Sequence, residues 1–136
     1  MPATGPPDDD FGFPVVAVPA TATCPDAVVR FLVGELVAAG RVPAAAVRRV
    51  AEAVLHRETL GTTGIGRGIA MPHAKSDDVT EVAVVIGRLA NPLDWSALDG
   101  EPVGLVCLMV TPRNAPMAAL KTLDGLVRRL LGPDRS

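Results

Sequence analysis

The sequence predicts one α/β domain. Its 136 residues suit a single core. Three segments carry apolar residues at helical spacing, and three shorter runs are β-branched and of strand length. Residues 15–132 are assigned to the domain, with residues 1–14 as an N-terminal tail and residues 133–136 as a short C-terminal one.

Residues 1–14 are rich in Pro and Gly and include Asp8, Asp9 and Asp10, too little apolar surface to offset the entropy of ordering. Val15, Val16 and Val18 sit between Pro14 and Pro19, which suits a short edge strand. A helix is expected over residues 25–39, with Thr23 as N-cap, Pro25 in the first turn and Gly40 at the end. Its buried stripe is Val29, Leu32, Val33, Leu36 and Val37. A second helix is expected over residues 43–56, with Val47, Val50, Ala51, Val54 and Leu55 inward and Arg48, Arg49 and Glu52 toward water. Residues 61–74 are too glycine-dense for a helix or regular strand and read as a shaped loop leading into a short extended segment. Residues 82–89 and 103–110 read as buried strands, with turns at Asn91-Pro92 and Asp99-Gly100. Met117, Leu120, Leu123, Leu126, Val127, Leu130 and Leu131 trace a last helix, stopped by Gly132-Pro133.

Composition removes several classes of function. The apolar fraction of 49% is broken by charged residues, with no uninterrupted run of the roughly 18 residues a membrane span needs. A net charge of −2, three Phe, one Trp and no Tyr leave neither a basic stripe nor a stacking platform for nucleic acid. Cys24 and Cys107 are far apart and read as free thiols in a reducing compartment. The N-terminus lacks the charged and apolar regions of a secretory signal, so a cytoplasmic protein is expected. The glycines of residues 64–68 fail the dinucleotide fingerprint, no phosphate-loop lysine motif occurs, and two His with two distant Cys give no zinc spacing. No cofactor and no metal are expected.

The remaining chemistry lies in residues 57–75. His73 follows Pro72, which holds Met71 extended and limits backbone freedom before the imidazole. With a free pKa of roughly 6.5, histidine keeps one unprotonated ring nitrogen near neutral pH and can attack phosphorus; its other nitrogen then needs an acceptor. Gly64, Gly66 and Gly68 would let backbone N–H groups approach phosphate oxygens. Thr62 and Thr63 would add hydroxyl donors, and Arg57, Arg67 and Lys75 would balance charge. The bland alternatives are open at this point. A lone histidine is more often structural, the glycines suit a tight turn, and Arg57 with Glu58 suits a solvated pair. His56, at a helix end, reads as structural.

The segment Arg57, Glu58, Thr63-Gly64-Ile65-Gly66, Gly68-Ile69-Ala70 and Pro72-His73 resembles the hallmark R-E-x-x-x-x-T-G-I-G-x-G-I-A-x-P-H. That is the signature of the type-2 enzyme IIA domains of the bacterial phosphotransferase system, the fructose, mannitol and nitrogen-related group. Similarity extends over residues 15–131, including Pro92 to Glu101. The resemblance implies a three-layer α/β/α sandwich with a mixed parallel and antiparallel sheet. It implies a phosphocarrier whose His73 accepts phosphate from an HPr-type phosphohistidine carrier, with Arg57 as the basic residue beside it. An enzyme IIB domain or a regulatory target would be the onward partner, in sugar uptake or nitrogen-type regulation. Two departures stand out. The family's second active-site histidine, at the start of the late helix, is replaced by Ala119, and the chain ends at Ser136 where relatives continue into further helical sequence. These departures support an alternative reading, a regulatory binding module that has lost efficient phosphotransfer.

Overall fold

A computed structural model describes residues 13–131. Residues 1–12 of the tail expected over residues 1–14, the tail expected over residues 133–136, and the Gly132-Pro133 helix stop lie outside the described residues. The strands are β1 (Val15–Val18), β2 (Gly64–Gly66), β3 (Ile69–Ala70), β4 (His73–Ser76), β5 (Ala83–Leu93) and β6 (Val103–Pro112). The helices are α1 (Pro25–Ala38), α2 (Val47–Thr59) and α3 (Pro116–Leu131), with a 3₁₀ turn at Ala44–Ala46 before α2.

All six strands form one mixed sheet in the order β1-β5-β6-β3-β2, with β4 also on β6, beyond β3. β1 runs parallel to β5 at one edge, as its flanking prolines suggest. β5 and β6 are antiparallel, while β3 and β4 both lie parallel to β6.

Helices cover both faces, which explains why β5 and β6 read as continuous apolar runs rather than alternating ones. On one face, Leu32, Val33 and Leu36 of α1 and Val50, Ala51 and Val54 of α2 pack on Val85, Leu108 and Val110. On the other, Leu126 and Leu130 of α3 pack on Val84, Ile86, Cys107 and Met109. The result is the three-layer α/β/α arrangement. No helix of the described residues is long and apolar enough to cross a membrane.

Several local expectations are corrected. Cys24, not Thr23, is the N-cap of α1, and no side chain caps it; Pro25, with no N–H, leaves one fewer unpaired donor in the first turn. Val37 and Leu55 are half-buried at the borders of their stripes. Val47 is exposed, because the 3₁₀ turn changes the phase at which α2 begins. Asn91-Pro92 is not a turn between strands: β5 continues to Leu93, which pairs with Val103 after a register shift that absorbs the proline. Asp99-Gly100 does turn, with Gly100 at φ +75°. The glycine-dense stretch is not a loop but a short bulged hairpin, in which Gly64 pairs with Ala70 and Gly66 with Ile69.

Candidate functional site

Along one side of β6 the chain runs as β3, breaks at Met71-Pro72, and resumes as β4, whose first residue is His73. The break follows from chemistry: Pro72 has no N–H for the ladder, but its carbonyl still accepts the Met109 N–H at 3.0 Å. His73 pairs in register with Met109. Met109 belongs to the core beneath α3, so His73 projects from that face, and Ala74 points into the opposite core.

The imidazole is half-buried, and its Nδ1 lies 3.0 Å from the Met71 carbonyl oxygen. A carbonyl can only accept, so this contact puts the proton on Nδ1. The Nε2 lone pair of the neutral ring is then the free nucleophile.

The supporting residues divide into two groups. Thr63 and Glu58 connect to His73 through Met71, and Gly64 follows Thr63 in the hairpin. The Met71 N–H donates to the Thr63 carbonyl at 3.0 Å, while the Thr63 N–H and hydroxyl both donate to the Glu58 carboxylate, at 2.8 and 2.6 Å. Trp95 Nε1–H donates to the same carboxylate at 3.1 Å. The Thr63 hydroxyl proton is therefore engaged, as is that of Thr62, which donates to the Trp95 carbonyl. The Gly64 N–H donates to Thr62 Oγ1. These donors already have internal partners in this structure. Arg57, at the end of α2, donates through Nη1 to the Gly61 carbonyl at 2.9 Å, which fixes its side chain beside the turn that enters the hairpin. Lys75 is exposed two residues along β4, on the same strand face as His73.

Gly66, Arg67 and Gly68 are not brought to His73. The hairpin carries them to the far end of β6, where the Gly68 carbonyl accepts from Gly104 and Leu105. Between Leu105 and Met109 the strand advances on the order of 13 Å. There Arg67 takes the tight-turn position at φ 60°, and its N–H donates to Asp99. That bond and one from the Glu101 N–H hold the Asp99 carboxyl below its ordinary range. Gly66 is required at φ +101°, with an added Cβ falling 3.1 Å from the Asp99 carboxylate. A Cβ on Gly64 would meet Ala97 at 2.9 Å. Gly64 and Gly66 thus admit the 94–101 segment against the hairpin.

Glu58 is the site residue that sequence reasoning missed. Its spacing of five residues from Thr63, across the end of a helix, was the available signal. Cys24 is exposed; Cys107 is buried, and burial pushes its thiol pKa up to about 12, so it stays a thiol near neutral pH. Among the described residues no cluster of three or more His, Cys, Asp or Glu is placed to hold a metal ion.

Ala119 lies in the first turns of α3, half-buried and in the same stripe as Leu123, Leu126 and Leu130. α3 begins shortly after β6 ends, at the end of the sheet where β4 pairs, so Ala119 shares the face and the end of the sheet with His73.

The family model described as "Phosphoenolpyruvate-dependent sugar phosphotransferase system, EIIA 2" matches residues 15–135. A nitrogen regulatory protein of Bradyrhizobium diazoefficiens is 40% identical over 87 residues, 64% of this chain and 57% of that one. A fructose-specific EIIABC component of Bacillus subtilis is 40% identical over 80 residues, 59% of this chain and 13% of that one. The chain therefore spans little more than half of the first relative's length and a small part of the second. Among solved structures, the nitrogen regulatory protein IIA-Ntr of Neisseria meningitidis superposes with a TM-score of 0.70 at 26% identity, over 84% of this chain and 75% of that one.

Proposed function

The chain belongs to the EIIA 2 family of the phosphoenolpyruvate-dependent sugar phosphotransferase system, and from that membership we propose that it is a phosphocarrier which accepts a phosphoryl group on Nε2 of His73. The observation that carries the reading is the 3.0 Å contact of His73 Nδ1 with the Met71 carbonyl, which leaves Nε2 unprotonated and directed away from the backbone. The donor is an HPr-type phosphohistidine carrier. The Nε2 lone pair forms the new N–P bond as the donor's N–P bond breaks, and the released electron pair returns to the donor's ring nitrogen. The His73 ring gains positive charge as its bond to phosphorus forms, and the Nδ1–H bond to a carbonyl dipole stabilises that charge. Arg57, anchored at Gly61, supplies the cation for the phosphoryl oxygens, with Lys75 assisting from the same strand face. Thr63 and Gly64 shape the site, and Gly66, Arg67 and Gly68 support the hairpin. The onward recipient is an enzyme IIB unit or a regulatory target, in the cytoplasm; the Bacillus subtilis relative, named for joined A, B and C units, supports the former.

Ala119 favours a second reading. With the family's second histidine position occupied by a methyl group, the domain would act through binding that depends on the state of His73, and the nitrogen regulatory relative supports such a use.

The test mixes the purified protein with a phosphorylated HPr-type carrier. Intact mass and peptide mapping then look for one acid-labile phosphate. Label on His73 is expected. A folded sample that takes no label from carriers of its own source would overturn phosphocarrier function in favour of the binding module.

A further inference from the structure

We propose that Glu58 is a positioning residue that fixes which nitrogen of His73 is free to react, acting through Thr63 and Met71. The inference rests on His73 being the phosphoryl acceptor and goes one step behind it.

A continuous chain of hydrogen bonds links Glu58 to His73. The Glu58 carboxylate sits at the end of α2, a helix packed against β4. It accepts three donors: the Thr63 N–H, the Thr63 hydroxyl and Trp95 Nε1–H. Two of these hold Thr63 by both backbone and side chain, so the residue cannot swing. The Thr63 carbonyl then accepts the Met71 N–H, and the Met71 carbonyl faces His73 Nδ1. The direction of that last carbonyl depends on two torsions of Met71. Pro72 restricts ψ to extended values. The bond from the Met71 N–H to Thr63 restrains φ. With both set, the carbonyl is aimed at Nδ1. Without Thr63 the second restraint is lost, the carbonyl turns away, and the proton redistributes between the two ring nitrogens.

A residue that only stabilised the fold would not govern the proton position of an imidazole. Long-range ¹H–¹⁵N NMR of the unphosphorylated protein, above the pH at which the ring is protonated, reads that position directly. Phosphorylation is not needed, so this result stands or falls separately from the phosphocarrier reading. The wild type is expected to hold the Nδ1–H tautomer. Glu58→Gln is expected to keep it: the amide oxygen can accept from Thr63 N–H and Trp95, and the Thr63 hydroxyl can rotate to accept from the amide nitrogen. Thr63→Val and Glu58→Ala are expected to mix the tautomers. With phosphorylated carrier, each should lower kcat by roughly tenfold, as expected for losing one oriented hydrogen bond, with KM changed much less. Should Glu58→Ala not fold, Thr63→Val, which is close to isosteric, decides. A wild type without a dominant Nδ1–H tautomer overturns the proposal, as does a folded Glu58→Ala or Thr63→Val that retains it.

Discussion

At the scale of single residues, the role proposed for His73 is chemistry with little packing. His73→Ala should abolish phosphoryl acceptance while changing stability by no more than about 1 kcal/mol, since a half-buried side chain with one hydrogen bond is lost; denaturant melts beside the labelling assay check both. Ala119→His should accelerate acceptance, roughly 10-fold or more if the new imidazole donates to the phosphoryl group. An unchanged rate in a single-turnover comparison would remove Ala119 from the site. Cys107 makes a prediction in alkali. Burial raises its pKa from 9.0 to about 12, so the unfolded chain ionises first. Its contribution to stability is full below pH 9.0 and is lost as the pH rises toward 12, and thermal melts across that window should show it. Below that window alkylating agents should modify the exposed Cys24 and spare Cys107. His73 stood out in the sequence as a candidate because the segment before it is contiguous and distinctive. Glu58 was not, because beside Arg57 it reads as half of a solvated charge pair, and one of its partners, Trp95, arrives from 37 residues away.

At the scale of elements, the sheet depends on close approach at Gly87. A Cβ there would stand 2.7 Å from Val18 Cγ2 and 2.9 Å from Leu32 Cδ2, so Gly87→Ala wedges β5 away from β1 and α1. Such overpacking costs about 1–3 kcal/mol, and the urea midpoint should fall accordingly with an unchanged slope. The helices and the two long strands could be read in advance because their periods and continuous apolar runs report burial directly. The glycine hairpin could not. Four glycines close together in sequence suggest one phosphate cradle, whereas the bulge at Gly64–Gly66 and the turn at Arg67-Gly68 send part of the group to the far end of β6.

At the scale of the whole molecule, stability comes from the two apolar layers rather than from charge. The ion pairs Arg30–Asp26, Arg49–Asp78, Arg113–Asp77 and Arg128–Asp124 all lie at the surface, and such pairs contribute little. The layered arrangement was legible through the family motif; the order of the strands was not, because parallel pairing between distant segments leaves no local trace. That contrast between near and distant contacts also bears on assembly. Glu58 meets Thr63 five residues on and Met71 meets His73 after two, whereas β1 joins the sheet by pairing with distant β5, Val15 opposite Ile86. Short loops close with less entropy loss and sooner than long ones. The local contacts around His73 are therefore expected to form before the sheet edge is complete and to persist through local openings of α3, whose first turns are largely exposed. In native-state hydrogen exchange, the Thr63 and Met71 amides should outlast those of the first turn of α3.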